Sequence, residues 1–148
     1  TIDLVLESGN VPLIIGEAGI GKTSLVKKIC KSDNYHLVNI DANLLKEGEI
    51  GGLPLVENGR TKYATHYKLI EVEEAIRDNE YNGVLLFIDE LNRCEHAVQQ
   101  ELMNLILNRE INGYKLADNV KIVAAMNPSN KYDGFEDSDY QVVDMDRA

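Results

Sequence analysis

The segment from Gly16 to Thr23 constrains the fold of this chain more than any other part of the sequence. It reads GEAGIGKT, which matches the pattern G-x-x-x-x-G-K-S/T, and it follows directly after the apolar run 11–15. A strand that passes through a glycine-rich turn into a helix directs several backbone N–H groups, and the positive end of the helix dipole, toward one place. The sequence therefore predicts an anion-binding turn between a strand and a helix.

The side chains of this segment indicate that the anion is a nucleoside triphosphate bound with Mg²⁺. The Lys22 ammonium can contact the β- and γ-phosphates, the Thr23 hydroxyl can ligate Mg²⁺, and the glycines let the backbone approach the phosphates closely. A chance glycine-rich turn would show the same pattern in roughly one of every two hundred chains of this length. We expect these residues to bind the nucleotide: Gly16, Glu17, Ala18, Gly19, Ile20, Gly21, Lys22, Thr23 and Ser24.

Length, cysteine content and charge narrow the class of protein. The 148 residues are enough for one domain with its own core, so no disulfide or metal staple is needed. Cys30 and Cys94 show no metal-binding or redox spacing, and no leader or apolar run of about 18 residues is present, which predicts a soluble cytoplasmic protein. The net charge of −10 disfavours nucleic acid as a partner, although a local positive site on one loop stays compatible with it.

Hydrophobic periodicity predicts strands and helices in alternation, which is typical of an α/β fold. The helix after the motif has an apolar face at Leu25, Val26 and Ile29. From Tyr132 onward the chain is acidic and lacks a pattern, so irregular structure is expected there. The predicted strands are 11–15, 35–40, 84–88 and 120–126, and the predicted helices are 22–31, 65–79 and 95–109.

Two connections stand out from this alternation. Residues 47–62 contain four glycines and a proline and are long for a connection, which suggests a functional insertion such as a pore loop or a partner contact. An ordered surface loop is an equally good interpretation. Asn112-Gly113 lies between short β-prone flanks and predicts a β-hairpin turn.

Two adjacent carboxylates follow the most apolar strand, 84–88. Asp89 is placed to hold Mg²⁺, and Glu90 can orient and deprotonate a water that attacks the γ-phosphorus. The second carboxylate favours hydrolysis over transfer to another substrate. The alternative is a helix-capping pair at the start of the next helix, where acidic residues are common.

A polar residue, Asn127, ends the last predicted strand at the same edge of the sheet. Ligands of open α/β sheets bind at the carboxyl ends of the strands. An amide there can hydrogen-bond both the γ-phosphate and the attacking water, so we expect Asn127 to take part in catalysis together with Glu90 and Lys22. The alternative is an ordinary turn residue before Pro128.

Four ordered motifs give the chain a resemblance to a known family. They are Leu86 to Arg93 (LFIDELNR), Gln99 to Met103, the Asn112-Gly113 turn, and Val123 to Pro128. In this combination the chain resembles the AAA+ ATPases of the MoxR and dynein-related branch, which includes McrB-type restriction motors. The resemblance spans nearly the whole chain.

The resemblance implies a P-loop NTPase fold, a three-layer αβα sandwich with a mainly parallel sheet and a β-hairpin before the sensor 1 strand. It assigns Gly16 to Thr23 as Walker A, Asp89 and Glu90 as Walker B, and Asn127 as sensor 1. It further implies Mg-dependent ATP hydrolysis that drives remodelling by a hexameric ring. The client in such systems is often a protein, reached with a partner that bears a metal-dependent adhesion domain.

The resemblance also implies parts that lie beyond the ends of this sequence. The tail 142–148 resembles the segment that leads to the family's arginine finger, but it stops before that arginine, so Arg147 is not assigned as the finger. The fifth sheet strand, the helical lid and the sensor 2 arginine are expected after residue 148, and a further helix before residue 1. Residues 1–148 are therefore expected to be a truncated AAA+ core domain.

Three alternative functions remain open at this point. The first is a GTP-dependent, McrB-like motor that acts on DNA. The second is a small-molecule kinase, for which the sequence offers no cluster of lid arginines. The third is a nucleotide-gated scaffold without catalysis, which would require a defective Glu90 or Asn127, whereas both are intact.

Overall fold

The computed structural model of the chain describes residues 2–7, 9–16, 21–127 and 140–144. The helices are α1 (Ile2–Glu7), α2 (Lys22–Asp33), α3 (Tyr67–Arg77) and α4 (His96–Asn108), with a short 3₁₀ turn at Ala42–Leu44. The strands are β1 (Pro12–Gly16), β2 (Tyr35–Asp41), β3 (Leu53–Glu57), β4 (Arg60–Ala64), β5 (Gly83–Asp89), β6 (Glu110–Ile111), β7 (Tyr114–Lys115), β8 (Val120–Met126) and β9 (Tyr140–Asp144). The predicted bounds of the regular elements agree closely with these.

The central sheet has five strands in the order β2-β5-β8-β1-β9. The first four run parallel, and β9 pairs antiparallel with β1. Helices cover both faces: Leu86 and Ile88 of β5 pack in a core with α3 and α4, whereas Leu85 and Phe87 pack in a second core with α1 and α2. The expected three-layer α/β sandwich is confirmed, and β5 is buried because it lies inside the sheet with a helical layer on each side.

The apolar face of α2 differs slightly from its prediction. Val26 and Cys30 are buried, whereas Leu25 and Ile29 are only half-buried at the rim of the same core. Val26 and Cys30 are four residues apart, so they lie on one face of the helix, and this face points directly at the sheet.

Residues 47–62 contain regular structure and are not a plain surface loop, while the pore or partner-contact role of this stretch stays a prediction. The stretch begins with turns, continues as β3 and ends within β4. The two strands pair antiparallel as a hairpin. Its turn is Asn58-Gly59, with φ angles of 53° and 73°. The hairpin predicted at Asn112-Gly113 is confirmed, with β6 and β7 as its strands. Both hairpins thus have an Asn-Gly turn with positive φ angles. All ten strand residues of β3 and β4 are exposed, so no buried face produced a signal in the sequence.

The expectation of irregular structure from Tyr132 onward is wrong for Tyr140–Asp144. These residues form β9, which pairs with the edge of β1 as the fifth strand of the sheet, whereas the resemblance implied a fifth strand after residue 148. An unpaired edge of β1 would leave backbone N–H and C=O groups without partners, and β9 provides those partners. The tail residues after Asp144, including Arg147, lie outside the described residues.

Within the described residues, no helix is long and apolar enough to cross a membrane.

Candidate functional site

Three of the predicted site residues lie at the carboxyl ends of three adjacent parallel strands. Gly16 ends β1, Asp89 ends β5, and Asn127 follows directly after β8. Because β8 lies between β5 and β1, these ends form one continuous sheet edge, which we call the strand-end edge. The fold thus brings together residues that are more than a hundred positions apart in sequence.

Lys22 reaches this edge from the first position of α2. Gly21 before it has a φ of 85°, a left-handed conformation that glycine adopts without steric cost. The Lys22 ammonium donates hydrogen bonds to Gly16 O at 2.9 Å, to Asn127 Oδ1 at 2.8 Å and to Met126 O at 3.4 Å. Its side chain is buried, with 8% of the residue exposed. A buried ammonium therefore spans the ends of β1 and β8.

The orientation of the Asn127 carboxamide follows from this contact. Lys22 can only donate, so the atom of Asn127 that faces it must be the oxygen, and the amide nitrogen must point elsewhere. Asn127 is 4% exposed, and its Nδ2 has no hydrogen-bond partner among the residues that the structure describes. A buried donor without an acceptor costs about 1–3 kcal/mol, so this N–H group is suited to an acceptor that a ligand supplies.

The N-terminus of α2 provides further donors at the same edge. Among the described residues no side chain caps it, and its first turn contains no acidic residue. Thr23 and Ser24 are exposed in that turn. The first N–H groups of a helix have no partners within the helix, and together with the helix dipole they favour an anion. The N-terminus of α2 therefore favours an anion at the strand-end edge.

Asp89 and Glu90 leave the end of β5 through a turn. Glu90 has a φ of 59°, and its backbone N–H donates to Asp89 Oδ1 at 2.8 Å. A left-handed glutamate costs about 1–3 kcal/mol, and such backbone strain is common at functional sites. The N-cap position of α4 is Glu95, so the interpretation of Asp89 and Glu90 as a helix-capping pair is wrong.

The residues present fit Mg²⁺ bound with a nucleotide. Among the described residues, no three His, Cys, Asp or Glu side chains form a cluster that could enclose a metal. Mg²⁺ in phosphate sites needs no such cluster, because it keeps several waters and takes one or two protein oxygens besides the phosphates. The Thr23 hydroxyl and the Asp89 carboxylate are oxygen donors of that kind.

Sequence reasoning missed one residue at the strand-end edge. Asn92 appeared only as part of a family motif, but its carboxamide bonds to the backbone of Asn127. No local pattern in the sequence indicates this contact, because its two partners are 35 positions apart. Arg93 is exposed, and its backbone N–H donates to Glu90 O at 3.0 Å. The predicted nucleotide-binding residues Glu17, Ala18, Gly19 and Ile20, and the residue Pro128, lie outside the described residues.

Comparison with known proteins gives the family. The family described as "AAA domain (dynein-related subfamily)" matches residues 12–141. The chain belongs to this family. The match runs from β1 through the beginning of β9, so every element of the strand-end edge lies within this AAA domain.

Solved structures show the same fold at low sequence identity. A mutant of RuvB from Thermotoga maritima superimposes with a TM-score of 0.53 at 22% identity, over 86% of this chain and 38% of that one. NtrX from Brucella abortus gives 0.51 at 18% identity, over 81% and 27% of the two chains. Another structure of Thermotoga maritima RuvB, described as a Holliday junction branch migration motor, gives 0.50 at 20% identity, over 84% and 34%. The AAA chain thus spans well under half the length of these proteins.

Membership supports the general chemistry of the site. AAA+ proteins are ATPases that bind nucleotide and Mg²⁺ and generally assemble into rings. The strand-end edge of this AAA domain has the groups that such chemistry uses: an ammonium, an amide donor, a helix N-terminus and two carboxylates.

The two cysteines of the AAA domain do not add a nucleophile to it. Burial, followed by the negative charge of Asp33, raises the pKa of the Cys30 thiol to about 11. Burial also raises the pKa of Cys94, whose Sγ donates to Leu91 O at 3.2 Å. Both thiols are protonated at neutral pH, and a protonated thiol is a poor nucleophile.

Proposed function

We propose that this AAA domain binds Mg-ATP at the strand-end edge and hydrolyses it, and that hydrolysis drives the remodelling of a protein or macromolecular complex. One observation carries the proposal. Lys22 and Asn127, from opposite ends of the sequence, are buried together at 2.8 Å, and Asn127 keeps an unused N–H donor beside a buried cation. A cation and a free donor at an uncapped helix N-terminus match the terminal phosphate of a nucleotide.

Lys22 and Asn127 have complementary roles in this proposal. The Lys22 ammonium compensates the negative charge of the β- and γ-phosphates, as the lysine of a phosphate loop does in NTPases. Asn127 donates through Nδ2 to the γ-phosphate or to the attacking water, while Oδ1 keeps its bond to Lys22. Both groups are held before the reaction begins, which is the source of electrostatic stabilisation in such sites.

The two carboxylates at the end of β5 divide the remaining work. Asp89, with Thr23, would hold Mg²⁺, which neutralises charge on the phosphate oxygens. Glu90 orients the attacking water and accepts its proton. In the terms of the resemblance, these are the Walker A, Walker B and sensor 1 positions.

The site is completed by a second subunit in this proposal. Ring assembly is general in AAA+ proteins, and we propose a hexamer in which a neighbour's arginine stabilises the transition state. An arginine finger raises the rate of related hydrolases by about 10³–10⁵-fold, so this chain alone is expected to be a weak ATPase. The client is proposed to be a protein, with a partner that bears a metal-dependent adhesion domain.

Nucleotide binding tests the first half of the proposal. The affinity for Mg-ATP, measured by calorimetry, should fall about a hundredfold or more in Lys22→Ala. Lys27→Ala is the matched control, because Lys27 lies on the same helix and is exposed. Unchanged affinity in Lys22→Ala would refute the site. Competition with GTP in the same assay decides between an ATP-driven and a GTP-driven motor.

Turnover tests the second half. In the full-length protein, Glu90→Gln should keep nucleotide affinity and lower kcat by about a hundredfold or more, because the amide cannot accept the proton of the water. Glu95→Gln removes an exposed carboxylate from the same connection and should leave kcat unchanged. Equal turnover in wild type and Glu90→Gln removes Glu90 from the mechanism. Phosphate release without any added acceptor excludes a small-molecule kinase.

A further inference from the structure

Asn92 forms a contact that its position in the sequence does not suggest. It lies in the turn after β5, two residues beyond Glu90, and its carboxamide faces the backbone of Asn127. Asn92 Nδ2 donates to Asn127 O at 2.7 Å, and Asn127 N donates to Asn92 Oδ1 at 3.3 Å. The backbone partners fix the direction of the amide, because a carbonyl only accepts and an N–H only donates.

This arrangement differs from the usual behaviour of asparagine in a turn. Turn asparagines bond to backbone groups two or three residues away, whereas Asn92 bonds to a residue 35 positions further along the chain. The neighbouring bond from Leu91 N to Ala125 O, at 3.0 Å, also crosses from the turn to β8. Asn92 thus extends the connection between β5 and β8 past the last residue of both strands.

The contact converges on the residue that carries the proposed function. Both backbone polar groups of Asn127 are used by Asn92, and the side-chain oxygen of Asn127 is used by Lys22. The backbone and the carboxamide of Asn127 are therefore held from two sides, and only Nδ2 is left for a ligand. Small displacements of catalytic groups have large effects on rate, so what holds Asn127 matters for turnover.

We propose that Asn92 is a positioning residue for hydrolysis: it holds the backbone of Asn127 so that Nδ2 is presented to the terminal phosphate. The proposal rests on the proposed function of the strand-end edge. Asn92 and Glu90 share one turn, closed by the bond from Arg93 N to Glu90 O. The same short segment thus positions the group that activates water and supports the group that contacts the phosphate.

A kcat-against-affinity comparison tests this role in the full-length protein. Asn92→Ala should lower kcat about tenfold to thirtyfold, while the dissociation constant for Mg-ATP stays within about threefold of wild type, because Lys22 and the α2 N-terminus remain. Asn108→Ala is the matched control: it removes an exposed amide bond to Asn104 Oδ1 of 2.7 Å and should leave both constants unchanged. An unchanged kcat in Asn92→Ala overturns the proposal.

A double-mutant cycle separates positioning from a purely structural effect. If Asn92 acts through Asn127, Asn92→Ala should change kcat by less than twofold in an Asn127→Ala background. Equal effects of Asn92→Ala in both backgrounds would overturn the positioning role. If Asn92→Ala does not fold, Asn92→Gln carries the same cycle, since it keeps a neutral carboxamide and moves it one methylene away from its place against the backbone of Asn127.

The outcomes also distinguish this proposal from the proposed function. Loss of turnover in Asn127→Ala with no effect of Asn92→Ala overturns the positioning role alone and keeps the hydrolytic site. A wild-type protein that binds Mg-ATP but never releases phosphate overturns both.

Discussion

Polar side chains are usually exposed and apolar ones buried, and two regions of this molecule depart from that rule. The strand-end edge buries polar side chains, and the β3–β4 hairpin exposes apolar ones. At the edge, polar side chains are buried: Lys22 is 8% exposed and Asn127 is 4% exposed. On the hairpin, apolar side chains are exposed, with Val56 at 80% and Leu53 at 61%. Buried polar groups need exact partners, whereas exposed apolar groups need none within the chain. The edge is therefore sensitive to single changes, and the hairpin tolerates them unless a partner covers it.

The largest expected effect is on stability, and it contrasts the exposed hairpin with the buried core behind the sheet. Leu102 of α4 is fully buried in the core, and Leu102→Ala should lower the free energy of unfolding by about 2–5 kcal/mol. Leu55 of the hairpin is 54% exposed, and Leu55→Ala should change it by about 0.5 kcal/mol or less. Urea denaturation of both variants measures the difference. Equal losses would show that the hairpin is packed against the rest of the chain.

The two Asn-Gly turns give an intermediate effect. Gly59 and Gly113 have φ angles of 73° and 86°, and apart from their chain neighbours no described residue has an atom within 4 Å of a Cβ added to either. Alanine at each position should cost about 1–2 kcal/mol through backbone strain alone. For Gly113→Ala the loss should appear in global stability, because Ile111 is buried and Tyr114 Oη donates to Leu69 O at 3.2 Å.

For Gly59→Ala the loss should appear only as faster amide exchange within β3 and β4, because the exposed hairpin can open by itself. Hydrogen exchange followed residue by residue separates the two cases. If Gly59→Ala lowers the global free energy of unfolding as much as Gly113→Ala does, the β3–β4 hairpin does not open independently of the rest of the chain. The proposed difference between the two hairpins would then be wrong.

The smallest expected effect is the pH dependence of stability that the buried Cys30 thiol of α2 contributes. The pKa of Cys30 is raised by burial to about 11, from an ordinary value of 9.0. The unfolded chain loses the thiol proton first, so the stability that this group contributes is present below about pH 9 and is lost as the pH rises toward 11. Cys30→Ala should flatten this part of the pH profile in urea denaturation. A parallel profile for wild type and variant would contradict the buried, protonated thiol.

Much of the strand-end edge could be predicted from the sequence. The run from Val84 to Ile88 is apolar because β5 is covered on both faces, and the order of elements places its last residue beside the end of β8. Polar residues at the ends of such strands share one edge, which predicts that Asp89 and Asn127 lie together, and the G-x-x-x-x-G-K-S/T pattern adds Lys22. The general rule for parallel sheets was sufficient.

The remaining features depend on contacts that no local pattern contains. Asn58-Gly59 is the same turn signal as Asn112-Gly113. The strands on either side of Asn58-Gly59 have no buried face, so they lack the alternation of apolar and polar residues by which a strand is predicted. The strand β9 is identified by its pairing with β1 near the other end of the sequence, and a pairing between distant segments has no local signal. Asn92 finds its partner across 35 residues, and a side chain that bonds to a distant backbone has no sequence signature.

The most direct test of the account is the side-chain amide resonance of Asn127 in isotope-labelled protein, assigned by its disappearance in Asn127→Ala. A non-hydrolysable ATP analogue with Mg²⁺ should shift this resonance strongly and slow its exchange with water, because Nδ2 gains the terminal phosphate as acceptor. Mg-ADP should leave it near its position in free protein. Equal shifts with both nucleotides, or none with either, would contradict the claim that Asn127 contacts the γ-phosphate.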